Sequence, residues 1–206
     1  MSSVIGHLSA GAAVYLCRAR LDEPRSRWAL PLFIALAICP DFDYLATWLL
    51  HATAKVRFTH SLVFCSGVAL LAALCLRLLN TAQTRSIGVF ALLLAAWSHL
   101  VLDLLVGVHP LPILWPLRAP EVMSPLALLP SAGRLDIHNG LLWRNLLIEC
   151  GVLWPLFAFL VALRRGVKLR GMLPWLPLLM PVWLGFLVWS MSIHTLQFAA
   201  LQAHFR

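Results

Sequence analysis

Apolar residues run along this chain in long blocks rather than in alternation, with short polar interruptions between them. The block over residues 87–108 is long enough to cross a bilayer, because roughly 20 apolar residues cover its hydrocarbon. Similar blocks predict spans over 28–50, 62–79, 141–163 and 172–193. Residues 3–17 predict a shorter helix in which Gly6, Ala10, Gly11 and Ala13 allow a neighbour to approach closely. Pro40 interrupts the second block and predicts a kink or restart. Residues 109–140 carry so many prolines that they read as a loop or re-entrant cap at the membrane surface. The pattern therefore predicts an all-α fold, a polytopic bundle of about five to six transmembrane helices. It forms a single integral membrane domain over residues 1–206, with no repeat and no low-complexity tail.

Composition agrees with this reading. Of 206 residues, 61% are hydrophobic and 12% charged, with nine Trp, whereas a soluble domain is about 45–50% apolar. The net charge of +8 does not imply nucleic acid, because the basic residues lie in short loops and form no clustered face. Cys17, Cys39, Cys65, Cys75 and Cys150 sit in apolar segments without CxxC spacing, as small buried hydrophobes. The first apolar stretch lacks a basic n-region and contains His7, which argues against a cleaved signal peptide.

Loop charge predicts orientation. The loops at 18–27, 77–85 and 164–170 together hold ten Lys/Arg, and the opposite loops hold four: Lys55, Arg57, Arg118 and Arg134. The positive-inside rule puts the ten-charge side in the cytoplasm and the 109–140 connection outside.

The chemistry lies in the residues that interrupt the apolar blocks. His99 and Asp103 are four apart and share one helix face. A carboxylate in lipid needs a partner, a water-filled cavity or a metal, although a His–Asp bond locking two helices is a bland alternative. Asp41 and Asp43 follow Pro40, His60 opens the third span, His7 begins the first helix and Glu149 lies in the fifth span. At about 1.5 Å per helical residue, all of these fall in the outer half of the bundle. Imidazoles and carboxylates without thiolates suit Zn²⁺ or Mn²⁺, with Mg²⁺ a further possibility. The metal candidates are His7, Asp41, Asp43, His60, His99 and Asp103. Asp41 and Asp43 point about 200° apart on an ideal helix. They either serve two ions, meet one ion through the Pro40 break, or divide so that one orients a histidine. Asp41, Asp43 and Glu149 are the candidates for acid–base work, and Arg57 or Arg144 for holding a phosphate. His51, His109, His138, His194 and His204 read as interfacial or terminal residues.

The motifs His7, Pro40-Asp41-Phe42-Asp43, Thr59-His60-Ser61 and Ser98-His99-Leu100-Val101-Leu102-Asp103 resemble the YdjM-like membrane-bound metal-dependent hydrolases. Gly107 and Leu114-Trp115-Pro116 complete the order, so the resemblance covers about residues 1–117. It implies a multi-pass protein of the bacterial inner membrane with hydrolase activity. A weaker likeness is to the helical zinc-dependent phospholipase C group. The chain departs from the family pattern at Lys55-Val56-Arg57-Phe58. The expected function is a metal-dependent hydrolase acting on a phosphoester or lipid-linked substrate at the outer face. The alternatives are an ion-coupled transporter, with polar residues at several depths, and a non-catalytic protein with a closed structural metal.

Overall fold

The computed structural model describes residues 3–18, 27–44, 57–81, 84, 86–107, 110–117, 119–124, 128–130 and 138–204, the last eleven of these by backbone alone. Among the described residues seven α-helices follow one another: α1 Val4–Arg18, α2 Ala29–Ile38, α3 Leu62–Leu79, α4 Val89–Val106, α5 Gly140–Arg164, α6 Leu169–Met172 and α7 Leu176–His204. The protein is all-helical. Among the described residues the one β feature is an isolated bridge between Leu111 and Val122.

Four helical stretches are long and apolar enough to cross a membrane: Leu62–Leu79, Val89–Val106, Gly140–Arg164 and Arg170–Ile193. The helix expected over 3–17 forms as α1, at 15 residues too short for a perpendicular crossing. The expected second span is broken where Pro40 predicts it. Helix α2 stops at Ile38 and the chain tightens into a 3₁₀ turn over Cys39–Asp41, since proline cannot donate to the α-helical ladder. The rest of that expected span, 45–50, lies outside the described residues, as do Lys55, Arg118 and Arg134.

Helix α1 is the centre of the bundle and packs against α2, α4 and α5, while α3 lies on α4 and α7 on α5. Its approach to α2 depends on Gly11. A Cβ there would stand 2.7 Å from the Phe33 carbonyl oxygen and 2.9 Å from the Ala37 Cβ. Behind this contact, Phe33, Leu92, Ala95 and Leu100 form one buried cluster. Ala10, Leu102, Val106, Ile148 and Leu153 form a second, between α1, α4 and α5. The outward faces of α3, α5 and α7 keep Leu71, Leu78, Trp143, Leu178 and Val188 exposed, as lipid-facing helices do.

Two caps shape the polar end. Ser61 accepts a hydrogen bond from the Phe64 amide at 3.2 Å and starts α3 immediately after the 3₁₀ turn Phe58–His60. Gly107 ends α4 in the left-handed region (φ 61°), where its amide reaches the Asp103 carbonyl at 3.2 Å. The described part of the proline-rich connection is non-helical and packs against this end. The Leu62 amide donates to the Ile113 carbonyl, the Leu128 amide to Leu105, and the Trp115 ring lies 5.4 Å from Phe58.

Candidate metal centre

Five of the sequence-predicted residues converge where α1, α4 and the two 3₁₀ turns meet. His7 comes from the first turn of α1, Asp41 from the turn after α2, His60 from the turn before α3, and His99 and Asp103 from α4. All three imidazoles are wholly buried, Asp103 nearly so, and the Asp41 side chain is 17% exposed.

Their ligating atoms point inward. His7 Nε2 lies 3.5 Å from Asp103 Oδ1 and 3.8 Å from Asp41 Oδ2. His60 Nε2 lies 3.5 Å from both Asp41 Oδ1 and Asp103 Oδ2. His99 Nε2 is 3.7 Å from Asp41 Oδ1 and 3.6 Å from Asp103 Oδ2. Ligand atoms about 2.0–2.1 Å from a tetrahedral zinc lie roughly 3.3–3.4 Å from one another, so these separations fit a divalent ion after a small contraction. Two overlapping sets, His7–Asp41–His99 and His60–His99–Asp103, each bring three ligating atoms within 4.8 Å of one another. His7 Nδ1 and Nε2, His99 Nε2 and Asp41 Oδ1 are buried and make no hydrogen bond. Buried polar atoms of this kind are costly unless something coordinates them, and an ion would do so.

Two of the three histidines, His99 and His60, are held in the tautomer that an ion needs. His99 Nδ1 donates to the Ala37 carbonyl at 2.8 Å, which leaves the Nε2 lone pair toward the centre. His60 Nε2 accepts from Arg57 Nη2 at 2.9 Å, so its proton is on Nδ1, 3.0 Å from Thr59 Oγ1. Thr59 in turn donates to Asp43 Oδ2 at 3.2 Å. Ligation by His60 therefore requires the guanidinium N–H to give way.

Asp43 belongs to this surrounding network. Its carboxylate takes a two-pronged bond from Arg57, Nε to Oδ2 at 2.8 Å and Nη2 to Oδ1 at 3.0 Å. Of the arrangements left open for Asp41 and Asp43, the structure has Asp41 facing the imidazoles and Asp43 behind His60, its Oδ2 3.7 Å from His60 Nδ1. Arg57 also stacks on Tyr44, 4.4 Å from the ring centroid, with Nη1 3.1 Å from the phenol oxygen. Burial alone would lower the Arg57 pKa. The hydrogen bond and charge of Asp43, with Tyr44 and Asp41 behind it, raise it instead, so the guanidinium stays cationic beside the histidines.

Glu149, expected as an acid–base residue, is not in either converging set. Its buried carboxylate accepts from the Ser3 amide, at 3.1 Å to Oε1 and 3.2 Å to Oε2, and so fixes the start of the helix that carries His7. Arg144 bonds the neighbouring Asn145 side chain, whereas Arg57 reaches the cluster, 3.9 Å from Asp41 Oδ1. His138 is exposed, His51 and His109 lie outside the described residues, and the side chains of His194 and His204 are likewise not described. Sequence reasoning missed the Arg57–Asp43 pair and the Ser3–Glu149 bond. An arginine three residues before His60 was the available signal for the first; the second has none.

A family model described as YdjM inner membrane protein matches residues 1–196, well beyond the stretch that holds the motifs. No curated protein and no solved structure matches the chain. With the match over nearly the whole length and four helices able to cross a bilayer, this membrane protein belongs to the YdjM inner membrane protein family.

Proposed function

We propose that the protein is a metal-dependent hydrolase of the bacterial inner membrane that acts on a phosphoester or lipid-linked substrate at the outer face. The observation that carries this reading is the convergence of three buried imidazoles and two carboxylates in a single layer at one end of the bundle. An ion path would spread such groups over several depths.

The chain's own residues divide the work. His7, His60, His99, Asp41 and Asp103 would hold the ion, zinc or manganese by donor type. When bound, it supplies a Lewis acid and lowers the pKa of a coordinated water toward neutrality. Asp41 is the most exposed of the five, and serves as ligand or as general base toward that water. Arg57 is the cation at the open side, its side chain 28% exposed. Asp43 and Tyr44 aim it to receive an anionic oxygen, as a phosphate offers. Glu149 acts on His7 as a positioning residue through Ser3.

The test is metal analysis joined to turnover. Detergent-purified protein should carry bound zinc or manganese and hydrolyse a phospholipid or lipid-linked phosphate in a chelator-sensitive way. Asp41→Asn should remain folded and lose that turnover. If metal-loaded protein turns over nothing across broad lipid and phosphoester panels, the hydrolase reading fails and the structural-metal reading replaces it.

A further inference from the structure

A cavity opens toward the other end of the bundle, where α1 and α5 end and α4 begins. It measures about 550 Å³, within the size range of small-molecule sites. Ala13 and Val14 of α1, Leu94 of α4 and Phe157 of α5 wall it with apolar surface. At its mouth stand two arginines, Arg18 at the last residue of α1 and Arg164 at the last residue of α5. Among the described residues its lining contains no carboxylate. The neighbouring Arg165 is spent elsewhere, bonding the Leu16 carbonyl through Nε and Nη2 at 3.2 and 3.1 Å and so tying α5 to α1.

We infer that this groove is a binding site for an anionic phospholipid, with an acyl chain between α1, α4 and α5 and the headgroup phosphate between Arg18 and Arg164. Charge decides the occupant. Two guanidiniums with no acidic partner among the described lining residues, at the end of an apolar slot between membrane-crossing helices, match a phosphodiester on a hydrocarbon chain. A zwitterionic lipid fills the slot equally well but brings a cation against the same two arginines. The arginine mouth is separate from the metal centre: eleven helical steps of α1 lead from His7 to Arg18, about 16 Å at the helical rise, while the inner end of the groove reaches Ala10 and Ser98.

Delipidated, detergent-solubilised full-length protein is titrated with phosphatidylglycerol or phosphatidylcholine of identical acyl chains, and retained lipid is read by native mass spectrometry. The wild type should retain phosphatidylglycerol preferentially, by roughly tenfold or more for two basic side chains meeting one headgroup. The Arg18→Gln/Arg164→Gln variant should retain the two lipids equally. Gly88→Leu, at a lining position where a Cβ meets nothing within 4 Å, should lower retention of both. Should the double variant fail to fold, Arg164→Gln alone, at an exposed residue, is read in the same way. Unchanged preference without the arginines overturns the inference. So does undiminished retention in Gly88→Leu, or a dimer that this variant disperses without touching lipid retention, which would give the groove to a second copy.

Discussion

The imidazoles of His7 and His99 stack face to face, with ring centroids 3.9 Å apart and planes 14° from parallel. One ring rides on α1 and the other on α4. Any slide of α1 against α4 therefore moves one Nε2 relative to the other, and the positions of both depend on how closely α1 packs.

That dependence makes Gly11 a test of the centre from a distance. Gly11→Val would drive side-chain atoms into the Phe33 carbonyl and Ala37, at a cost of about 1–3 kcal/mol for an overpacked contact. Thermal unfolding should shift downward, and bound metal should fall, although no ligand is changed. Wild-type metal content in a destabilised Gly11→Val protein would show that α1 packing does not position His7.

Glu149 separates anchoring from proton transfer. Glutamine keeps an acceptor for the Ser3 amide and cannot donate or take a proton as a carboxyl does. Glu149→Gln should therefore retain metal and most turnover. Glu149→Ala, which leaves a buried amide without its acceptor, should cost about 1–3 kcal/mol and lower both. A Gln variant with full metal and no turnover would return Glu149 to the chemistry.

The network behind His60 should matter nearly as much as a ligand. Asp43→Asn breaks the Arg57 pair and loosens the Thr59–His60 arrangement. Removing a partner of a ligating histidine lowers metal affinity or activity by about 10–100-fold. Isothermal titration of apo protein with zinc should show that drop for Asp43→Asn and a larger one for His99→Ala. Equal affinities in wild type and Asp43→Asn would detach the network from the ion.

Chelation should lower stability. An ion that binds the folded bundle and not the unfolded chain contributes RT ln(1 + [L]/Kd), about 2.7 kcal/mol at a hundredfold excess over Kd. Treatment with a chelator should therefore lower Tm, restored by added metal. In the His99→Ala variant the chelator-dependent shift should shrink; if it stays at the wild-type value, the stabilising ion sits elsewhere.

Orientation is checked separately. Reporter fusions at Arg27, Arg85 and Lys168 should read cytoplasmic and one within 109–140 extracytoplasmic, because ten basic residues lie on the first side and four on the second. A cytoplasmic reading from 109–140 would turn the metal centre inward.

Much of this architecture was legible along the chain because its cause is local. Apolar block length marked α3, α4 and α5 to within two or three residues, and Pro40 marked the break after α2. The His99–Asp103 pairing follows from helical periodicity alone. The different placements of Asp41 and Asp43 did not follow. An ideal helix puts them about 200° apart, and the choice between them is made by Arg57, 14 residues beyond Asp43. Glu149 shows the limit more sharply. Its depth in α5 suggested membership of the site, but a carboxylate at that depth serves equally well to hold a helix start, and only the arrival of Ser3 from 146 residues away decides.

That same bond sets an order of assembly. His7 is synthesised well before residue 149, yet the amide that seats its helix finds its acceptor only when residue 149 is in place. At about 5–20 residues per second, this is an interval of roughly seven to thirty seconds. During it the first helix has α2 and α4 for company but lacks its anchor. On the proposed metal-binding reading, capture of an ion at full affinity waits for α5, because until then the helix that carries His7 is without its anchor.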